Sequence, residues 1–197
     1  MTWIHELEEW PNFTWDANKL ASKLSEVRHR QGLLLGRMEG LGFDLRSEAS
    51  LAVLTKDVIK SSAIEGEHLD EQEVRSSIAR KLGLDVGGLI PAGRDVDGVV
   101  EMMLDATTNY SEELTAERLF NWHTSLFPTG RSGMHKMTVG SWRTESSGAM
   151  QVVSGPVGRE TVHFVAPAAT RVEEEMNVFL SWFASANDTD PVVKAAL

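Results

Sequence analysis

A predicted helix end at residues 61–66 combines a hydroxyl, a carboxylate and a glycine. The residues in order are Ser61, Ser62, Ala63, Ile64, Glu65 and Gly66. A carboxylate at the C-terminus of a helix opposes the helix dipole, so a negative charge at Glu65 is mildly unfavourable. That penalty favours a role for Glu65, although a solvent-facing terminal residue is the alternative on the residues alone. The other carboxylates of the acidic run 65–73 indicate a solvated helix end.

No second group completes a catalytic site. The six histidines are dispersed and lack metal-ligand spacing. They are His5, His29, His68, His123, His135 and His163. We interpret His123 as a core or boundary residue of a helix, and His163 as a packing residue of a strand. Phosphate-loop, dinucleotide-binding and nucleophile-elbow motifs are absent, and the glycines of residues 83–93 have the wrong spacing.

Charge and composition exclude several classes of protein. The 197 residues carry 29 acidic and 19 basic side chains, a formal charge of −10, which repels nucleic acid phosphates. No apolar run approaches the roughly 20 residues that cross a bilayer, and the N-terminus is not a secretory signal. Cysteine is absent, which excludes disulfides and thiolate sites. We therefore expect a cytoplasmic protein that binds neither nucleic acid nor membrane.

Apolar periodicity predicts a mainly α-helical fold. The first helix starts at Asp16 and ends at Gly40, after an extended aromatic arm that contains Trp3, Trp10 and Trp15. Further helices are predicted over these ranges: Ser47, an N-cap, to Gly66; Asp70, in a capping box with Glu73, to Leu82; Val96 to Asn109; Thr115, an N-cap, to Pro128; Thr170, an N-cap, to 186; and Asp190 onward.

One β-hairpin interrupts the helices. Residues 150–153 and 161–165 are rich in β-branched residues, and the segment between them contains Gly155, Pro156 and Gly158. This pattern predicts strand, turn and strand, within a hairpin at about 149–166. The glycine-rich residues 83–93 are the best candidate for a boundary, so we divide the chain into 1–88 and 89–197.

Two segments together resemble the Fic (filamentation induced by cAMP) family, in its bacterial subgroup with an N-terminal helical extension. Residues 61–66 fit the family's inhibitory-helix pattern Ser/Thr-x-x-x-Glu-Gly/Asn. The region that leads into and forms the flap hairpin is also similar. Its matching residues are VGSWRT at 139–144, MQVVSGP at 150–156, ETVHF at 160–164 and AP at 166–167. The resemblance spans essentially the whole chain.

The resemblance implies a Fic-like helical bundle with a flap, preceded by a helical module that contains an inhibitory helix at about 47–66. The family's catalytic motif, His-Pro-Phe-x-x-Asp/Glu-Gly-Asn-Gly-Arg-x-x-Arg, is absent from the 197 residues. In similar proteins the motif follows shortly after the position of Leu197. We therefore expect the sequence to be a piece of a longer protein, one that stops short of the catalytic loop and is inactive alone.

The family transfers AMP from ATP to a protein hydroxyl, so the resemblance implies a nucleotidyltransferase (protein AMPylation) that uses ATP and Mg²⁺. Glu65 would pair with the motif's second arginine and compete with the ATP γ-phosphate. Ser61 would tether the helix end, and Gly66 would allow the turn. The flap would dock the target protein through one strand edge. That edge consists of Met150, Gln151, Val152 and Val153.

Two alternatives remain open at this point. The first is a non-enzymatic helical interaction module, with homodimerisation an option, that uses the arm containing Trp3, Trp10 and Trp15. The second keeps the Fic fold but changes the chemistry to another nucleotide, to phosphocholine transfer or to AMP removal. The expected partner is a protein substrate, which includes the protein itself as a target. The residues of the hairpin favour target docking and an ordinary structural role, in which the hairpin covers a helical core, about equally.

Overall fold

The fold is mainly α-helical with a β-hairpin, as predicted. A computed structural model describes residues 2–85, 87–132, 134–156, 158–185 and 189–197. Its helices are α1 (Ala17–Glu39), α2 (Phe43–Ile64), α3 (Glu71–Lys81), α4 (Arg94–Thr108), α5 (Ala116–Leu126), α6 (Ala169–Ala184) and α7 (Pro191–Lys194). The strands are β1 (Arg131–Ser132), β2 (His135–Lys136), β3 (Gln151–Ser154) and β4 (Thr161–Val165). None of the helices in these ranges is long and apolar enough to cross a bilayer.

Four of the predicted helix starts are confirmed by hydrogen bonds from main-chain amides to a capping side chain. Asp16 Oδ1 accepts from the amide of Asn18 at 3.0 Å, and the other three capping side chains accept in the same way. Those three are Asp70, Thr115 and Asp190. Each of these residues marks the start of its helix, because its side-chain oxygen accepts hydrogen bonds from first-turn amides that have no partner within the helix.

Two predicted N-caps are wrong. The N-cap of α2 is Gly42, so Ser47 lies inside the helix. The N-cap of α6 is Ala168, so Thr170 lies inside that helix as well. At neither of these caps does a side chain accept a hydrogen bond from the helix. The backbone conformation at the cap therefore sets the helix start, and no polar residue marks that start in the sequence.

The chain forms two compact units, of which one comprises residues 34–141. Its core consists of side chains buried on α2, α3 and α4. They are Leu51, Val58, Val74, Ile78, Ala79, Val96, Val100 and Leu104. Burial of one such aliphatic side chain stabilises a fold by about 1.5–3 kcal/mol. The core therefore holds three helices together, and α5 packs against α4.

The predicted boundary at residues 88–89 lies inside this unit. The glycine-rich connection between α3 and α4 is fixed to α3 by three hydrogen bonds. Ser76 Oγ accepts from the amide of Ile90 at 3.0 Å, and Arg80 donates to the Ile90 carbonyl at 2.6 Å. Glu73 Oε2 accepts from the amide of Gly93 at 2.9 Å, so Glu73 serves this connection and not the predicted capping box. A functional division at 88–89 stays a prediction.

The other unit comprises residues 1–33 and 142–197. It contains the N-terminal arm, most of α1, the β3–β4 hairpin, α6 and α7. The arm is less extended than predicted, because Ile4–Glu6 form a short 3-10 helix. Arg28 of α1 donates to Asp190 at the start of α7 over 2.7 Å, and Trp10 Nε1 donates to Glu175 of α6 at 3.3 Å. The two ends of the described chain therefore meet in one unit.

Candidate functional site

Helix α2 ends in a turn that requires Gly66. The amide of Gly66 donates to the Ala63 carbonyl at 3.1 Å, and the amide of Glu67 donates to the Ser62 carbonyl at 2.9 Å. These two bonds form a Schellman motif, in which the residue after the cap adopts a left-handed conformation. Gly66 has φ +85°, so the prediction that it ends the helix is confirmed. Glu65 is the cap residue itself, with φ −84° and ψ 4°.

The same turn leaves Ser61, Ile64 and Glu65 exposed to solvent. Ile64 is 82% exposed, an unusual environment for an isoleucine at a helix end. The side chains of Ser61 and Glu65 form no hydrogen bond or ion pair with any residue in the described ranges. Because they are four residues apart, they lie on the same face of α2. The surface thus offers a hydroxyl and a free carboxylate one turn apart, next to an apolar side chain.

The Schellman turn makes Gly66→Ala a destabilising substitution. Alanine at φ +85° is strained although no described atom lies within 4 Å of the added methyl group. We expect a loss of about 1 kcal/mol in the free energy of unfolding, measured by urea denaturation. Gly32→Ala is the matched control, because Gly32 lies in the interior of α1 with equally open space. It should be neutral or stabilising, and equal losses in both variants would contradict the turn assignment.

The β3–β4 hairpin carries the second predicted site. Gln151 pairs with Val165 and Ser154 pairs with Thr161 in an antiparallel register. All four β3 side chains are exposed, and so is Met150, which precedes the strand and is 59% exposed. The sheet has only the order β3–β4 among the described residues, so the far edge of β3 has no strand partner there. An edge of this kind can pair with an extended peptide.

The N-terminal arm packs on the other strand of the hairpin. The ring of Trp3 lies edge-on to that of Phe164, with centroids 5.8 Å apart, and the ring of His5 does the same at 5.6 Å. His5 is buried, and its Nδ1 has no hydrogen-bond partner in the described residues. Phe164 pairs with Val152 of β3. The arm therefore supports the strand next to the exposed edge.

Loss of this support should loosen the hairpin. We expect Trp3→Ala to speed hydrogen exchange at the β4 amides, because an aromatic pair contributes about 0.5–1.5 kcal/mol beyond its buried area. Trp15→Ala is the matched control, because Trp15 is 43% exposed and has no ring contact in the described residues. Equal exchange rates in Trp3→Ala and the unaltered protein would show that the arm does not support β4.

A bulge in the hairpin brings together a serine and a histidine that the sequence did not single out as a pair. Val152 pairs with Phe164 and Val153 pairs with Val162, so His163 has no residue opposite it. Its Nε2 lies 2.6 Å from Ser154 Oγ. His163 is exposed, so its interpretation as a packing residue is wrong. No carboxylate of the described residues bonds this histidine, so the pair lacks the orienting group of a catalytic triad.

Sequence reasoning also missed a polar network between α4 and α5. Asp105 Oδ2 accepts from Arg118 Nε and from Trp122 Nε1, both at 2.7 Å. The bond from Arg118 foremost, then one from Asn109 to Oδ1 and that from Trp122, lower the pKa of Asp105 to about 2. Arg118 also donates to carbonyls at the end of α4, including that of Asn109 at 2.9 Å. The network ties α5 to the C-terminus of α4, so we assign it a structural role.

The two predicted sites belong to different units. Ser61, Glu65 and Gly66 lie in the unit of residues 34–141, and Met150 to Val153 lie in the other. His123 is half-buried, with its ring 5.1 Å from that of Phe127, which confirms its interpretation as a boundary residue. Trp3 and Trp10 contact other residues of their own unit, which leaves Trp15 as the exposed tryptophan of the arm.

Residues 3–84 match the model of a family described as a domain of unknown function, DUF4172. The matched residues include the N-terminal arm, α1, α2 and α3, and therefore the whole of the helix end at 61–66. The description assigns no activity, ligand or partner to the domain. No curated protein matches the chain.

Proposed function

We propose that this chain is the regulatory and target-docking portion of a Fic-family protein adenylyltransferase. The catalytic motif lies outside the 197 residues. The observation that carries the proposal is the end of α2, where the carboxylate of Glu65 projects beside the exposed Ile64 with no partner in the described residues. The segment has the hydroxyl, carboxylate and glycine of an inhibitory helix in the required order. Its exposure leaves it accessible to a catalytic segment.

Inhibition follows from competition for one arginine. The second arginine of the catalytic motif holds the ATP γ-phosphate in the active state, and a carboxylate can replace that phosphate in a bidentate pair. When Glu65 occupies the arginine, ATP binds without the geometry that AMP transfer requires. Ser61, on the same face one turn earlier, tethers the helix to the catalytic segment through its hydroxyl. Gly66 sharply reverses the chain after Glu65, so the carboxylate stands at the tip of the turn.

The hairpin positions the target. Its β3 edge, from Met150 to Val153, pairs with an extended segment of the target protein and brings a hydroxyl to the catalytic histidine. Val152 and Val153 are 56% and 46% exposed, which makes apolar side chains available for contact with the target. Trp3 of the arm packs against Phe164 on β4, the strand paired with β3, so the hairpin is stabilised before the target binds.

In this proposal the nucleotide is bound by the catalytic motif, which lies outside the 197 residues. In this family the motif supplies the general base, the acidic ligand of Mg²⁺ and the backbone amides that hold phosphates. In the proposed arrangement the chain acts in the cytoplasm on a protein substrate, and on itself. Calorimetry on the 197 residues alone should therefore detect no tight Mg-ATP binding, whereas micromolar affinity would mean that the chain has its own nucleotide pocket.

The proposal is tested on the polypeptide that contains both this sequence and the catalytic motif. After incubation with Mg-ATP, mass spectrometry should find AMP on a serine, threonine or tyrosine hydroxyl of the target or of the protein itself. A phosphocholine adduct, or loss of AMP from a modified target, would replace adenylyl transfer with one of the alternative chemistries. If no polypeptide joins the two parts and no adduct forms, the chain is an interaction module.

A further inference from the structure

The bulge in the β3–β4 hairpin holds a serine hydroxyl against a histidine on an exposed face. Ser154 Oγ lies 2.6 Å from His163 Nε2, and both residues are exposed. Ser154 pairs with Thr161, and His163 follows Thr161 by two positions, so its side chain returns to the face on which Ser154 lies. In the tautomer with its proton on Nδ1, the imidazole accepts the hydroxyl proton at Nε2. This is the geometry of a nucleophile next to its base.

A tight turn directly follows the serine. Gly155 has φ +102°, and a methyl group there would lie 2.9 Å from the carbonyl oxygen of Arg159. The amide of Arg159 donates to the Pro156 carbonyl at 2.9 Å. The chain therefore reverses as soon as β3 ends, which places Ser154 and His163 at the tip of the hairpin. The hydroxyl is accessible to a reactant from that side.

Other hydroxyls of the chain lack this combination of exposure and a base. Among the residues that the structure describes, Ser154 has the one hydroxyl within hydrogen-bond distance of a histidine. Ser77 donates to the carboxylate of Asp97, but Ser77 is fully buried and cannot meet a substrate. Many of the others donate to a main-chain carbonyl three or four residues earlier. They are Thr55, Thr107, Thr108, Thr124, Ser181 and Ser185.

We infer that Ser154 is the hydroxyl to which the protein transfers AMP when it modifies itself. The inference rests on the proposed function, because the catalytic motif supplies the bound ATP. Ser154 directly follows Val153, the last residue of the docking edge, so it lies close to where that edge brings a hydroxyl of the target. The reaction therefore needs no movement of the acceptor to a distant part of the chain.

The transfer forms one bond to phosphorus and breaks another. Ser154 Oγ bonds to the α-phosphorus of ATP, and the bond from that phosphorus to the oxygen that bridges to the β-phosphate breaks. Pyrophosphate leaves with the electron pair of the broken bond, and the hydroxyl proton passes to Nε2 of His163. No carboxylate of the described residues orients this imidazole, so the pair suits a single transfer to the protein and not repeated turnover.

The acceptor is tested in the polypeptide that contains both this sequence and the catalytic motif, with Glu65→Gly to remove inhibition. After incubation with Mg-ATP and no other protein, mass spectrometry of its peptides should find AMP on Ser154. Ser154→Ala should lose this AMP, and Ser154→Thr, which keeps a hydroxyl, should retain it. Thr161→Val is the matched control, because the Thr161 hydroxyl lies opposite Ser154 and forms no hydrogen bond with the described residues. This variant should still be modified on Ser154.

A parallel incubation with added cell lysate separates this inference from the proposed function. AMP on lysate proteins, or on other residues of the polypeptide, with none on Ser154 would overturn this inference alone. AMP on no protein at all would overturn the proposed function as well.

The role of His163 has its own test. His163→Gln keeps a polar side chain but removes the base, and it should slow the modification of Ser154 by about a hundredfold. Hydrogen exchange at the β3 and β4 amides should stay the same in this variant, because the lost group acts on the hydroxyl and not on the sheet. Modification at the original rate would overturn the role of His163 as the base. Slower modification together with faster exchange would overturn it too, since His163 would then act through the fold of the hairpin.

Discussion

The variant Glu65→Gly is expected to transfer AMP several-fold to roughly a hundred-fold faster than the unaltered protein, in the polypeptide that also contains the catalytic motif. Under the proposed mechanism, the substitution removes the carboxylate that competes with the γ-phosphate for arginine. It leaves the turn intact, because Glu65 is the cap of α2 and its backbone conformation suits glycine. The rate of label incorporation from ATP into protein measures the change.

Glu67→Gly is the matched control for this substitution. Glu67 is an exposed carboxylate two residues later, and it lies beyond the left-handed Gly66. Removal of its charge should leave the rate of transfer unchanged, because its side chain departs from the face that Ser61 and Glu65 share. Equal activation by both substitutions would show that net charge matters and the position of Glu65 does not.

A large effect on stability is expected from Gly98→Ala. Gly98 is buried on α4, and a methyl group there would overlap the main-chain oxygen of Ser125 on α5. Because that oxygen belongs to a helix backbone, the clash can be relieved only by separating the helices. We expect a loss of about 3 kcal/mol or more in the free energy of unfolding, measured by urea denaturation. Separation of the helices would also strain the bonds from Arg118 and Trp122 to Asp105.

Gly36→Ala is the control for the loss of glycine in a helix. Gly36 lies inside α1, and no described atom is within 4 Å of an added methyl group. Alanine should be neutral there or stabilise the helix by up to about 1 kcal/mol. If Gly98→Ala unfolds at the same urea concentration as Gly36→Ala, the close approach of α4 to α5 is wrong.

The helix ends and the hairpin could be predicted because their signals are local. Asp70, Thr115 and Asp190 cap helices with their own side chains, and Gly66 adopts a conformation that few other residues tolerate. The hairpin follows from two β-branched segments separated by glycine and proline. Each of these features depends on residues a few positions apart, and such spacing is visible in the sequence.

The contacts that hold the elements together could not be predicted in this way. Asp105 finds Arg118 and Trp122 only after α4 and α5 pack, and Trp3 finds Phe164 across most of the chain. Glu73 shows how a local signal fails. Its spacing from Asp70 predicts a capping box, yet its carboxylate accepts a hydrogen bond from the amide of Gly93, twenty residues later. Partners this far apart in the sequence produce no regular residue spacing from which their contact could be predicted.

The claim that this chain controls an adenylyltransferase is tested most directly by the origin of the transferred label. The polypeptide with the catalytic motif and Glu65→Gly is incubated with ATP labelled in the α-phosphate, and separately with ATP labelled in the γ-phosphate. We predict that protein is labelled from the α-phosphate alone, and more strongly than in the unaltered protein. Labelling from the γ-phosphate, or labelling no stronger than in the unaltered protein, would contradict the account.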